Sequence, residues 1–289
     1  MRNSARNPLF DNPGMTPSRV LAVSSGKGGV GKTNVSVNLS LALAMRNKKV
    51  MLMDADLGMA NLDVMLGIRS RFDLSHVISG EKTLDEIIIE GPLGIEIVPA
   101  SSGIRRMAEL SVSEHAGLIR AFDEISHQVE YLVIDTAAGI AESVVSFCRA
   151  AHEVIVVVCD EPASITDAYA LIKVLSQDYG VKRFQVLCNM VTDNSHGRQL
   201  YAKLARVADR YLDVSLGYLG SIPWDQRLQA AVKQQVPLMQ LSPNGPSGIA
   251  FQHTAERVLA MPRHDVSPGY LEFFVNQSSK HMPAVGRAG

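Results

Sequence analysis

The chain has 289 residues, 46% of them hydrophobic and 20% charged, with 22 glycines and 13 prolines. That is the make-up of an ordinary globular protein, long enough to bury about three quarters of its unfolded surface without staples. A formal net charge of −1 gives no general attraction to nucleic acid or anionic lipid. No apolar run reaches the roughly 18 residues of a membrane span, and no basic start followed by an apolar run marks a secretory signal.

Residues 1–18 carry Pro8, Pro13 and Pro17 with little periodicity and read as a mobile N-terminal arm. Residues 20–23 are a short apolar run of the kind found in strands buried on both faces. A glycine loop follows over 26–33, and then a helix over 34–46 with Val37, Leu41 and Ala44 on an apolar stripe. Further strands are expected at 50–53, 95–98, 131–134, 154–159, 184–188 and 218–222. Helices are expected at 113–126, 143–149, 164–177 and 197–211. Strands alternating with helices predict an α/β fold, a doubly wound, mainly parallel sheet flanked by helices. Such sheets place ligands at the carboxyl ends of their strands, which here carry Asp54, Asp56, Asp135, Asp160 and Asn189.

One domain is expected over residues 19–262. A C-terminal tail, 263–289, contains the apolar island 270–275. That island is short and holds Glu272 rather than lysines, which favours docking on the protein's own surface or on a partner over lipid. Cys148, Cys159 and Cys188 are odd in number, far apart and set in apolar sequence. They point to a reduced, cytoplasmic protein.

The loop Gly26-Lys27-Gly28-Gly29-Val30-Gly31-Lys32-Thr33 matches G-x-x-x-x-G-K-[ST] between a strand and a helix, the context that this motif requires. Gly28, Gly29 and Gly31 permit backbone angles that turn several N–H groups inward as an anion nest. The helix that starts near Lys32 adds the partial positive charge of its N-terminus. Lys32 would reach the β- and γ-phosphates, and the Thr33 hydroxyl would face Mg²⁺. The competing reading is a glycine-rich turn without a ligand. Lys27 is either a solvated lysine beside an anion site or a charge supplied to a neighbouring subunit's phosphate; the spacing alone decides neither. No guanine-type N-K-x-D sequence is present, which favours ATP over GTP. The eight histidines fall in no metal-binding spacing.

The loop, with Ser25 before it, resembles the deviant Walker A motif of the MinD/ParA class of P-loop ATPases. Residues 53–63 (Met-Asp-Ala-Asp-Leu-Gly-Met-Ala-Asn-Leu-Asp) are similar to that class's first switch, and residues 133–139 (Val-Ile-Asp-Thr-Ala-Ala-Gly) to its second, with Ala137 where many relatives have proline. Residues 142–147, 160–173 and 271–275 resemble the flagellar-number regulators of the FlhG/FleN type. The resemblance covers roughly residues 19–275.

It implies an ATP-dependent dimer with slow ATP hydrolysis. Lys27, Lys32 and Asp56 would be catalytic, Lys27 acting on the partner's phosphate and Asp56 orienting the attacking water. Gly26 to Thr33 and Asn34 would bind the nucleotide, with Asn189, Pro223 and Asp225 flanking the adenine. Thr33, Asp54 and Asp135 would serve Mg²⁺. It also implies two partners, an enhancer-binding transcriptional activator of flagellar genes and a flagellar signal-recognition-type GTPase. No sequence-specific DNA binding is expected, and a peripheral contact at the polar membrane or with a polar landmark stays open. The arm lacks the D-Q-A-x-x-L-R stretch with which other lineages stimulate the GTPase. The alternative is a ParA- or MinD-type partitioning ATPase, supported locally by the basic cluster Arg46, Lys48 and Lys49. The class also holds iron–sulfur members, but these need paired cysteines, and no C-x-x-C occurs.

Overall fold

The computed structural model describes residues 18–57, 61–100, 110–125, 129–262 and 273–274. Strands β1 (Arg19–Ser25), β2 (Val50–Ala55), β5 (Tyr131–Ala138) and β6 (Glu153–Val158) are apolar runs without polar alternation, buried along almost their whole length. Such strands need cover on both faces. They form the centre of an eight-stranded sheet of order β3-β4-β2-β5-β1-β6-β7-β8. The pairing is parallel except where β3 (Ile89–Glu90) meets β4 (Glu96–Val98). On the other side, β7 (Arg183–Val191) and β8 (Ser215–Pro223) complete the parallel half. The chain thus winds outward from β1 in both directions, and its strand ends converge on the loop after β1.

Each face carries its own core. Helices α5 (Val112–Ala121), α6 (Glu142–Ala150), α7 (Pro162–Gln177) and α8 (Asn194–Tyr211) cover one face, together with the short α3 (Leu74–Ile78) and α4 (Leu84–Ile87). The other is covered by α1 (Lys32–Ala44), α2 (Leu62–Leu66), α9 (Gln226–Gln234), α10 (Leu238–Leu241) and α11 (Pro246–Ala260). The single stripe expected on α1 is too narrow, because every residue from Val35 to Leu43 is buried. The polar ones are bonded: Asn38 accepts from the Met239 N–H and donates to the Asn34 carbonyl, and Ser40 donates to that of Ser36. Helix α11 was not expected among Pro243, Gly245, Pro246 and Gly248. Pro246 sits at its first turn, where a missing N–H costs nothing.

At the foot of the sheet, the buried Arg19 pairs with Glu153 at 3.0 Å and donates to the carbonyls of Val258, Met261 and Pro262. This fastens the end of α11 to β1. Of the apolar island in the tail, Phe273 and Phe274 are described. Both are buried, with rings edge-on to Phe122 at 5.0 and 5.9 Å. These two residues dock on the protein's own core. Two members of the basic cluster are paired: Arg46 bonds Glu256, and Lys48 meets Glu130 at 2.9 Å. Among the described residues, no helix is long and apolar enough to cross a membrane.

Candidate nucleotide site

The loop after β1 lies directly on α7. A Cβ at Gly26 would sit 2.1 Å from the Asp167 backbone, so only glycine allows this approach. Gly31 takes φ of 84° immediately before α1, a left-handed turn that an L side chain resists. Gly29 also has positive φ, whereas Gly28 does not. Helix α1 then starts with no side-chain cap and no acidic residue in its first turn. Helices α3, α5, α8 and α9 are capped by Asp73, Ser111, Asp193 and Asp225, whereas α1 shares its uncapped start with α6, α7 and α11. The head of α1, with Thr33 and Asn34 in its first turn, therefore keeps its N–H groups for an outside acceptor.

Two lysines leave this loop in different directions. Lys32 is buried, and its ammonium lies 2.8 Å from Oδ1 of Asp135, within β5. Ser36, one turn along α1, donates to the same oxygen at 2.9 Å. Lys27 is 40% exposed and meets Glu161, the residue that precedes α7, at 2.7 Å. The hydrogen bond and charge of Glu161 raise the Lys27 pKa.

Register in the sheet places Asp54 beside Asp135. Burial and then the Asp135 charge push the Asp54 carboxyl up to about 7, against hydrogen bonds from the N–H groups of Leu62, Asn61 and Asp56. Two buried carboxyl groups thus lie side by side, and the ammonium of Lys32 pairs with Asp135. A divalent cation would relieve that imbalance, so the donor set fits Mg²⁺, which takes a few carboxylate oxygens plus phosphates and water. Asp56 lies just beyond β2, and its neighbours Gly58, Met59 and Ala60 fall outside the described residues. From the second switch, the Gly139 N–H donates to the Ser25 carbonyl at 2.8 Å, tying that segment to the loop.

At the expected base end, Asn189 is buried and reaches the loop, where its amide nitrogen donates to the Val30 carbonyl at 2.8 Å. Pro223, half-buried at the end of β8, accepts from the Ser247 hydroxyl. Asp225 caps α9 and also accepts from the Ser247 N–H. Sequence reasoning missed Ser36, Glu161, Cys159 and Met190. Only Ser36 left a signal, since it stands four residues after Lys32 on one helical face.

The ParA family model, described as NUBPL iron-transfer P-loop NTPase, matches residues 16–259. The antiactivator FleN of Pseudomonas aeruginosa is 53% identical, with 95% of this chain and 98% of the relative covered. This chain belongs to the FlhG/FleN type of the MinD/ParA ATPases. The flagellum site-determining protein YlxH of Helicobacter pylori is 34% identical, with 92% and 89% covered. Among solved structures, the septum site-determining protein MinD of Pyrococcus horikoshii, complexed with Mg-ADP, is 27% identical. It matches with a TM-score of 0.68 over 84% of this chain and 96% of that one. Cys148, Cys159 and Cys188 are free and buried.

Proposed function

We infer that this protein is an ATP-dependent dimerisation switch with slow ATP hydrolysis that limits flagellar number. The observation that carries the nucleotide reading is the buried Lys32–Asp135–Ser36 group beneath an uncapped helix start, with Asp54 alongside. ATP supplies the acceptors that the head of α1 lacks. Lys32 then exchanges Asp135 for the β- and γ-phosphates; the Thr33 hydroxyl would hold Mg²⁺, with Asp54 and Asp135 behind it in the outer shell. When bound, the ion would neutralise charge that develops on the phosphate. Asp56 orients the attacking water, and Asn189 with Pro223 and Asp225 flanks the base. Lys27, held outside the cleft by an exposed carboxylate, exchanges Glu161 for the phosphate of a second subunit.

The names antiactivator and flagellum site-determining support a role in flagellar control. The ATP-bound dimer would inhibit the enhancer-binding activator of flagellar genes and act with the signal-recognition-type GTPase, in the cytoplasm or at the cell pole. The partitioning alternative has weaker local support, because Arg46 and Lys48 are paired with Glu256 and Glu130. A deletion strain scored for flagella per cell tests the biological reading: extra or misplaced flagella are expected, and unchanged number and placement would refute it.

A further inference from the structure

Ser36 serves Asp135 rather than its own helix. It stands on α1 one turn after Lys32 and is fully buried. Its single hydroxyl proton has two acceptors in range, the Lys32 carbonyl at 3.1 Å and Asp135 Oδ1 at 2.9 Å. The carbonyl belongs to the ladder of α1, which supplies it with an N–H of its own. The carboxylate is the stronger acceptor, because a hydrogen bond to an ionised oxygen is about twice as strong as a neutral one. Ser40 gives the contrast one turn further on. It is equally buried, but its hydroxyl donates to the Ser36 carbonyl at 2.7 Å and bonds no side chain among the described residues.

The two carboxyl groups of the site are held in different ways. Asp54 accepts from the backbone N–H groups of Asp56, Asn61 and Leu62. Asp135 accepts from two side chains, Lys32 and Ser36, and both converge on Oδ1. Its Oδ2 takes no donor among the described residues. On the nucleotide reading above, Lys32 leaves Asp135 for the phosphates. Asp135 then keeps one donor, and Ser36 is placed to be it. The hydroxyl stands on a helical rung whose position does not depend on where the Lys32 ammonium goes. Ser36 is sealed from solvent, and the space that a missing hydroxyl leaves is too small for a water to take over.

Resting on that reading, we propose that Ser36 is a positioning residue for the Mg²⁺ site. Its hydroxyl anchors Oδ1 of Asp135 once Lys32 has gone to the phosphates, and so keeps Oδ2 free for the outer shell of the ion. Ser36 touches neither phosphate nor metal; it acts through Asp135. Partners of this kind govern metal affinity by about 10–100-fold.

Calorimetry with ADP, once with Mg²⁺ and once with EDTA, tests this through the gain in affinity that the ion confers. Wild-type protein should bind ADP in both and more tightly with Mg²⁺. Ser36→Ala should bind ADP in EDTA as the wild type does, while its Mg²⁺ gain falls by about tenfold. Ser40→Ala, which removes a hydroxyl bonded only within the helix, should keep the full gain. Ser36→Cys puts a weak donor in nearly the same space and should lose part of the gain. It is the informative variant if Ser36→Ala does not fold. A full wild-type gain in Ser36→Ala, or in Ser36→Cys where that is the one that folds, overturns the proposal. So does an equal loss with and without Mg²⁺, which a purely structural serine would give, or an equal fall in Ser40→Ala. Wild-type protein that binds no ADP overturns the nucleotide reading itself, and wild-type binding that ignores Mg²⁺ overturns the cation assignment.

Discussion

Lys27 and Glu161 meet at 2.7 Å within one subunit, at the exposed rim of the loop. An exposed ion pair contributes little to stability, so breaking it costs the fold almost nothing. Lys27→Ala is expected to leave the thermal midpoint unchanged while ATP turnover falls by on the order of 10³. Phosphate release and a melting curve on one preparation check both halves.

Lys32 and Asp135 are the opposite case, with side chains only 9% and 2% exposed. Removing the ammonium strands a buried carboxylate beside Asp54. Lys32→Ala should cost about 3–5 kcal/mol of stability and abolish ATP binding. Adding Asp135→Asn should return part of the stability and none of the binding. A urea double-mutant cycle measures the coupling.

Phe273 and Phe274 anchor the tail on Phe122. Phe273→Ala is expected to cost about 3–5 kcal/mol, and Phe122→Ala a similar amount, as for other buried phenylalanines. Their double mutant should lose less than the sum. Chemical denaturation of the full chain checks this, and an exposed tail would show no effect.

His115 gives a pH dependence. Its ring is buried edge-on to Phe147, Nδ1 lies 3.1 Å from the Ser111 carbonyl, and Nε2 has no hydrogen-bond partner among the described residues. Burial holds its pKa below 6.5, against upward pulls from the Ser111 carbonyl, Glu142 and Glu114. The unfolded chain takes up this proton near pH 6.5, whereas the folded protein takes it up only at lower pH. Its contribution is therefore complete above 6.5 and is lost as pH falls from there through the folded value. Melting curves between pH 7.5 and about 5.5 should show a fall in stability that is shallower in His115→Phe.

How much of this was legible in the sequence depends on what set each feature. Strands β1, β2, β5 and β6 announce themselves because a buried parallel strand must be apolar on both faces. The loop was legible because close approach and a left-handed turn leave Gly26 and Gly31 no substitute. Helix α11 was hidden because Pro246 and Gly248 usually break helices, and only their placement in its first turn makes them compatible. Contacts made through the third dimension left no trace in spacing: Lys27 with Glu161, 134 positions apart, and Asn189 with Val30, 159 apart. Asp225 was legible as a loop aspartate at the base end, yet its carboxylate is already engaged in capping α9.

The proposed switch depends on ATP joining two subunits through Lys27. Light scattering on size-exclusion fractions tests it most directly, comparing wild type and Lys27→Ala with Mg-ATP, with Mg-ADP and without nucleotide. The 31.3 kDa chain should double in mass with Mg-ATP alone, and Lys27→Ala should stay monomeric under all three conditions. A wild-type mass that ignores ATP, or a Lys27→Ala protein that both dimerises and hydrolyses normally, would contradict the account.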